Sequence, residues 1–203
     1  FHGEQFSSAV LQLAHDVWVV LDVLSDELVR RLPSTPSYVG ASFFLIADSC
    51  MRIGAETMST ATDVARFLVQ YYIDIKKSVT NMKLQKLLYY AWIEYYSSHE
   101  GRYLFNDEIY AWKLGPVVPD VYREYRIFAA MPISMTRGPD GNIDEDTREF
   151  LKSFADRYKN TKAMDLVNRS HAPGKPWEKA YSKGHGDTAI PFKSIIALEC
   201  QKN

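Results

Sequence analysis

Cysteine is scarce: Cys50 and Cys200 are the only two in 203 residues, and neither belongs to a CxxC pair. A disulfide framework or a zinc knuckle needs closely spaced sets of thiols, so both are excluded, and a reducing cytoplasm is the expected compartment. Long apolar runs are missing as well. "VWVVLDVL" (17–24) and "SFFLIA" (42–47) are far shorter than the roughly 20 residues that cross a bilayer, and Asp22 interrupts the first. The N-terminus offers His2 and Glu4 before its first apolar periodicity, which is not the pattern of a signal peptide. No membrane role is expected. Nor is there a surplus of charge: 24 Lys and Arg stand against 25 Asp and Glu, for a net charge of -1. A global electrostatic grip on nucleic acid is therefore not indicated, and any such role has to rest on a local patch.

Catalytic signatures are missing too. The chain has no GxGxxG, no Gly-rich loop ending in Lys-Ser/Thr, no HExxH and no nucleophile elbow. Ser182, His185 and Asp187 lie close together in "YSKGHGDT", but the members of a catalytic triad come from separate elements, so the stretch reads as a solvated loop. The expectation is a protein that is not an enzyme and holds neither cofactor nor metal.

What the chain does have is an apolar content of 46%, ample for a core, and a helical period along most of its length. Residues 7–32 read as an amphipathic helix capped by Ser7 or Ser8 and ended by Pro33, and 33–42 is turn and linker chemistry. A boundary is expected between there and Met58, dividing an N-terminal extension (1–57) from a domain (58–203). The chain begins with Phe1, and Met51 and Met58 both offer starts, so the extension is expected to be dispensable.

Within the domain, Ser59, Thr60 and Thr62 offer caps for a helix with Val64, Phe67, Leu68, Tyr71 and Ile75 on one face. Thr80 caps a second helix with an apolar stripe of Leu84, Leu87, Leu88, Ala91 and Tyr95. "EIYAW" (108–112) alternates as a strand that Gly115 and Pro116 end, and Pro119 starts a helix running to about Ala130. A short strand and a loop are expected in 132–144, the strand pairing with 108–112. Asp144 caps a helix carrying Thr147, Phe150, Leu151, Phe154 and Tyr158, and shorter helices follow at 161–170, 176–182 and 191–199. The fold class is mainly α, with a small two- or three-stranded β element.

Three features invite a binding role. Lys76, Lys77, Lys83 and Lys86 surround the turn between the first two helices, with Tyr89, Tyr90, Trp92, Tyr95 and Tyr96 beyond them. Lysines with aromatics can hold phosphates and stack bases, so a DNA-binding regulator using the helix pair at 63–96 stands as one reading. Solvated lysines opposite a tyrosine-rich core are the other. His171, at a helix end before Pro173, Gly174, Pro176 and Trp177, is either a structural joint or a contact. The acidic stretch 140–149 serves helix capping and, if exposed opposite the lysines, steers a charged partner.

Three segments in order, "TNMKLQKLLYYAW" (80–92), "EIYAWKLGPVVPDVYREY" (108–125) and "NRSHAPGKPWEKA" (168–180), closely resemble the Panacea antitoxin family. Its members are also known as SocA-like antitoxins and phage-associated GepA-type proteins. The resemblance covers about residues 60–200. It implies the neutralising half of a toxin-antitoxin pair of bacteria, prophages or phages, binding a toxin encoded by an adjacent gene and in some cases delivering it to an ATP-dependent protease. It carries no catalytic residues. The matching positions are Lys83, Leu84, Gln85, Lys86 and Leu87; Trp112, Gly115, Pro116 and Val117; and His171, Pro176 and Trp177. Around them, Lys83, Lys86, Tyr90, Trp112, Lys113, Gly115, Pro116, His171 and Trp177 are the expected partner-binding residues.

Overall fold

The computed structural model describes residues 58–139, 141–184 and 188–200. The expected helix at 7–32, the linker after it, Asp140 of the "PDG" turn, and His185 with Asp187 lie outside the described residues.

Helix α1 (Ala61–Asp74) is set by Thr60, the cap chosen from the three on offer. Its hydroxyl accepts from the Asp63 amide at 3.1 Å, and the Asp63 carboxylate accepts from the Thr60 amide at 3.1 Å. Two otherwise orphaned donors are thus satisfied reciprocally. Val64, Phe67 and Leu68 are buried as the period predicts, but Tyr71 and Ile75 are only half-buried and Tyr72 takes the core position. The reason is a long-range bond that periodicity does not encode: the Tyr72 hydroxyl donates to the Ala155 carbonyl at 3.3 Å.

Helix α2 (Asn81–Ser98) is the hub of the domain. Thr80 caps it, its hydroxyl accepting from the Lys83 amide at 3.3 Å, and the predicted stripe of Leu84, Leu87, Leu88, Ala91 and Tyr95 is buried. Burial does not stop at the stripe, because Lys83, Gln85, Lys86, Tyr89, Tyr90, Trp92 and Ile93 are buried too. A helix enclosed on all sides belongs in the middle of a fold. Here α1, α3 (Pro119–Tyr125), α4 (Glu145–Tyr158), α5 (Ala163–Ser170), α7 (Phe192–Glu199) and a small hairpin all pack on it.

That hairpin pairs β1 (Tyr110–Trp112) with β2 (Gly115–Val117) in antiparallel register: Tyr110 opposite Val117, Ala111 opposite Pro116 and Trp112 opposite Gly115. Gly115 and Pro116 therefore form the second strand rather than merely ending the first. The described residues of 132–144 do not pair with β1; instead Pro132 bridges Thr80, and the Ile133 amide donates to the Val79 carbonyl at 2.8 Å. The other edge of β1 is taken by the segment before α7, where Tyr110 bridges Ala189 and the Ala111 amide donates to the Thr188 carbonyl at 2.9 Å. Ala111 therefore aims its own backbone groups away from β2. In an antiparallel pair the residue opposite does the same, so Pro116 needs no amide hydrogen for the ladder and its carbonyl points outward.

Helix α3 starts at Pro119, as expected, but ends at Tyr125; a 3-10 turn (Arg126–Phe128) and a positive φ of 48° at Ala129 follow, so the helix does not reach Ala130. Helix α4 is capped by Asp144, whose carboxylate accepts from the Thr147 amide at 2.8 Å and hydroxyl at 2.7 Å. Helices α5, α6 (Pro176–Gly184) and α7 occupy the three C-terminal segments where short helices were expected.

Candidate partner-binding site

The three motifs meet at the hairpin. Two side chains from one turn of α2 hold the backbone on either side of Pro116: Lys86 Nζ donates to the Pro116 carbonyl at 2.6 Å, and Gln85 Oε1 accepts from the Val118 amide at 2.9 Å. Gln85 also donates to Asn81 Oδ1 at 3.2 Å, and Asn81 donates to the Tyr122 carbonyl of α3 at 3.1 Å. The polar residues of α2 are thus spent on orphaned backbone groups of the strand and the following helix. Buried polar groups in this number persist only when they are paired in this way.

Lys86 is fully enclosed, and burial pushes its amine down to about 7. The C-terminal turn of α5 closes over it. His171 stacks on the Trp177 ring at 3.6 Å between centroids and 5° between planes, and Trp177 stacks on Tyr181 at 4.9 Å. The Trp177 indole donates to the Trp112 carbonyl at 2.8 Å, which ties α6 to the end of β1. His171 Nε2 is buried without a hydrogen-bond partner among the described residues, and burial first, then the Lys86 charge, lower its pKa. Enclosure thus holds both the amine and the imidazole toward their neutral forms, and the Lys86 charge adds to the effect on the imidazole.

Gly115 is the tightest point of the joint. Its φ is +99°, and a Cβ there would lie 2.8 Å from Ser170 Oγ and 2.9 Å from both Cε and Nζ of Lys86. We expect Gly115→Ala to cost about 2–3 kcal/mol, combining a left-handed backbone penalty with overpacking against a side chain that has no free space. Urea denaturation checks this, and a midpoint unchanged from wild type would contradict it.

The lysine patch expected around the first interhelical turn does not form as one exposed face. Lys83 is buried, donates to the Lys159 carbonyl at 3.0 Å, stands over the Tyr72 ring at 5.1 Å, and has its pKa lowered by burial. Lys86 faces the hairpin, and only Lys76 and Lys77 remain in solvent. Tyr90 is buried elsewhere on α2, its hydroxyl donating to the Leu166 carbonyl at 3.3 Å and its ring under the Arg169 guanidinium at 4.5 Å. Of the predicted set, Lys86, Trp112, Gly115, Pro116, His171 and Trp177 come together, whereas Lys83 and Tyr90 do not join them. Lys113 is exposed in the two-residue hairpin turn beside the exposed Leu114.

The stretch of sequence that builds this joint matches a known family. The family model described as antitoxin SocA-like, Panacea domain, matches residues 84–178. Antitoxin SocA of Caulobacter vibrioides (strain NA1000 / CB15N) is 33% identical over 129 residues, covering 58% of this chain and 68% of that relative. This chain belongs to the SocA-like antitoxin family. No solved structure matches it.

The SocA-like match opens inside α2 at Leu84 and closes inside α6 at Glu178, so it contains the whole joint from Lys86 to Trp177. Lys83 stands one residue outside it. Each of the three segments supplies one part of a contact the others need. Among the described residues no helix is long and apolar enough to cross a membrane.

Sequence reasoning missed a groove on the open side of the hairpin. It has a volume of about 450 Å³ and lies between the lead-in to β1, with Asp107, Glu108, Tyr110 and Trp112, and the start of α3, with Val118, Pro119, Asp120 and Arg123. The signal available was "NDEIYAW", which sets two carboxylates directly before an aromatic strand. Trp112 is half-buried beside this groove, and its ring meets Tyr122 edge-on at 5.0 Å.

Proposed function

We propose that this chain is an antitoxin that neutralises a cognate toxin by direct protein-protein binding, without a catalytic step of its own. The observation that carries the reading is the 33% identity to a protein named Antitoxin SocA across 68% of that protein's length. The geometry fits it. Apart from His171 Nε2, the polar groups described in the joint are engaged internally, while Leu114, Tyr122, Ile127, Met131 and Met135 expose apolar surface in the hairpin turn, in α3 and in the segment after it. Large apolar and aromatic side chains of this kind supply contact area at protein interfaces.

In this reading the predicted residues divide into two groups. Trp112 and Lys113 offer direct contacts. Lys86, Gly115, Pro116, His171 and Trp177 act by holding the surface that bears those contacts, with Lys83 and Tyr90 supporting it from further off through the Lys159 and Leu166 carbonyls. The partner is a toxin encoded by an adjacent gene, and passage of the bound toxin to an ATP-dependent protease is a further step the same surface can serve. The alternative of a DNA-binding regulator loses its main support, because two of the four lysines that were to contact phosphates are buried donors to backbone carbonyls.

The test is co-expression of the full chain with each neighbouring gene product in a host whose growth that product arrests. Restored growth, together with co-purification of the two proteins, is the expected result. An arrested culture containing well-folded chain, or neighbouring products that are all harmless, defeats the proposal.

A further inference from the structure

The groove beside Trp112 has chemistry of one kind. Among the described residues three carboxylates line it, on Asp107, Glu108 and Asp120, and the single cation, Arg123, is already paired with Asp120. Two aromatic rings, Tyr110 and Trp112, share the lining with Val118 and Pro119. The groove is thus both acidic and apolar.

Its walls are also fixed in advance. Asp107 Oδ2 accepts from the Ala61 amide at 2.9 Å, which fastens this wall to the start of α1. Glu108 Oε2 accepts from the Tyr110 hydroxyl at 2.8 Å, holding carboxylate and ring side by side. Trp112 is held at its carbonyl by the Trp177 indole and at its ring by Tyr122. Groups already held in their bound positions lose little entropy when a ligand arrives.

We propose that this groove receives an arginine-bearing extended segment of the partner protein. The inference rests on the antitoxin reading for the identity of that partner, and on charge complementarity for the chemistry of the segment. A guanidinium can bond a carboxylate with two parallel donors while its planar face and apolar stem lie along an aromatic ring. Glu108 with Tyr110 offers that pairing on one wall, and Asp120 stands on the other, near Trp112. A phosphate backbone or an anionic membrane would be repelled by the same three carboxylates, so a cationic peptide is the occupant that fits. Exposed Leu114, two residues beyond Trp112, and exposed Tyr122, in ring contact with it, supply apolar surface for the flanking residues of the segment.

The probe is a fluorescent peptide of sequence Gly-Arg-Pro-Arg-Gly, titrated with the full chain by anisotropy beside a copy in which glutamine replaces both arginines. Three variants are compared: Glu108→Lys, Asp120→Asn and, outside the groove, Asp165→Asn. All three side chains are exposed, and thermal melts confirm that each variant is folded. Tighter binding of the arginine peptide than of the glutamine copy, weakened about tenfold by Glu108→Lys and by Asp120→Asn but not by Asp165→Asn, supports the groove. Equal weakening by all three, or equal binding of both peptides, reduces the effect to general charge attraction and overturns the inference, as does an absence of binding. The variants are also tested against the toxin. If wild type neutralises the toxin and both groove variants neutralise it equally well, the groove inference fails while the antitoxin reading stands. If no neighbouring toxin exists and the peptide still binds with this pattern, the groove survives and only the partner's identity falls.

Discussion

Trp92→Ala is expected to destabilise the domain by about 4 kcal/mol, the cost of a large aromatic removed from a closed core. For a domain of this size that corresponds to a fall in Tm on the order of 15 °C. Trp92 is fully buried near the middle of α2, and its ring stacks on Phe192 at 4.7 Å and 4° between planes, on Tyr96 at 5.4 Å, and meets Tyr103 at 5.1 Å. Its indole donates to the Phe105 carbonyl at 3.0 Å. One side chain therefore holds α7, the loop after α2 and the lead-in to the hairpin. Trp92→Phe separates the contributions: it keeps an aromatic stack with Phe192 but leaves the Phe105 carbonyl unpaired, for an expected loss of about 1–3 kcal/mol. Calorimetry of the two variants checks the order, and equal losses would mean that stacking on Phe192 contributes nothing.

Stability is expected to climb with pH between about 7 and 10, and Lys86→Met is expected to remove most of that climb. The amine titrates near 7 in the folded protein, against an ordinary value of 10.5, because burial disfavours its charged form. Between those values the unfolded chain carries a proton that the folded chain does not. Stability then rises with pH at up to about 1.4 kcal/mol per unit, or about 4 kcal/mol across the window, and the cost of enclosing the charge is present in full below about 7. A histidine and three tyrosines bound the window. Lowering of the His171 pKa makes stability fall below about 6.5, because the unfolded chain again takes up its proton more readily. At the other end, burial raises the hydroxyl pKa of Tyr72, Tyr89 and Tyr90, so the unfolded tyrosines ionise first and stability falls above about 10.

Methionine keeps the length of the lysine stem and leaves the Pro116 carbonyl unpaired, at a cost of about 1 kcal/mol. Lys86→Met is therefore expected to be no more stable than wild type near pH 10 and more stable near pH 6.5. Urea denaturation of both proteins at four pH values across this range measures the difference directly. Parallel pH profiles would show that Lys86 is not desolvated in the folded state.

The SocA-like segments thus serve first as the scaffold. Gln85 and Lys86 fix the strand, His171 and Trp177 close over it, and what they hold in place is the hairpin turn with Trp112 and the groove beside it. Variation in Lys113, Leu114 or Glu108 can alter the exposed face without disturbing that frame, since each of these side chains projects into solvent.

How much of this was legible beforehand differs from element to element. Helices α1 and α4 were readable because Thr60 and Asp144 act within four residues of their own positions, and a cap needs no distant partner. Helix α2 was readable as a helix but not as the hub. The clue lay on the side away from its leucines, where Tyr89, Tyr90, Trp92 and Ile93 stand in place of charges. The second strand was hidden by Pro116, whose missing donor argues against a sheet until the register shows that no donor is needed there. Only one wall of the groove was written in the sequence, in "NDEIYAW", because Glu108 and Asp120 face one space only through the turn that the hairpin makes between them.

By itself the sequence determined a mainly helical domain, its helix starts and family membership, all of which rest on caps, periods and motifs written within a few neighbouring residues. Tertiary structure alone decided which lysines left solvent, what β1 pairs with, and that three carboxylates share a groove with Trp112. Those outcomes depend on desolvation and on hydrogen bonds between segments up to about a hundred residues apart, and the free energy of such contacts is set by what encloses them rather than by what precedes them in the chain.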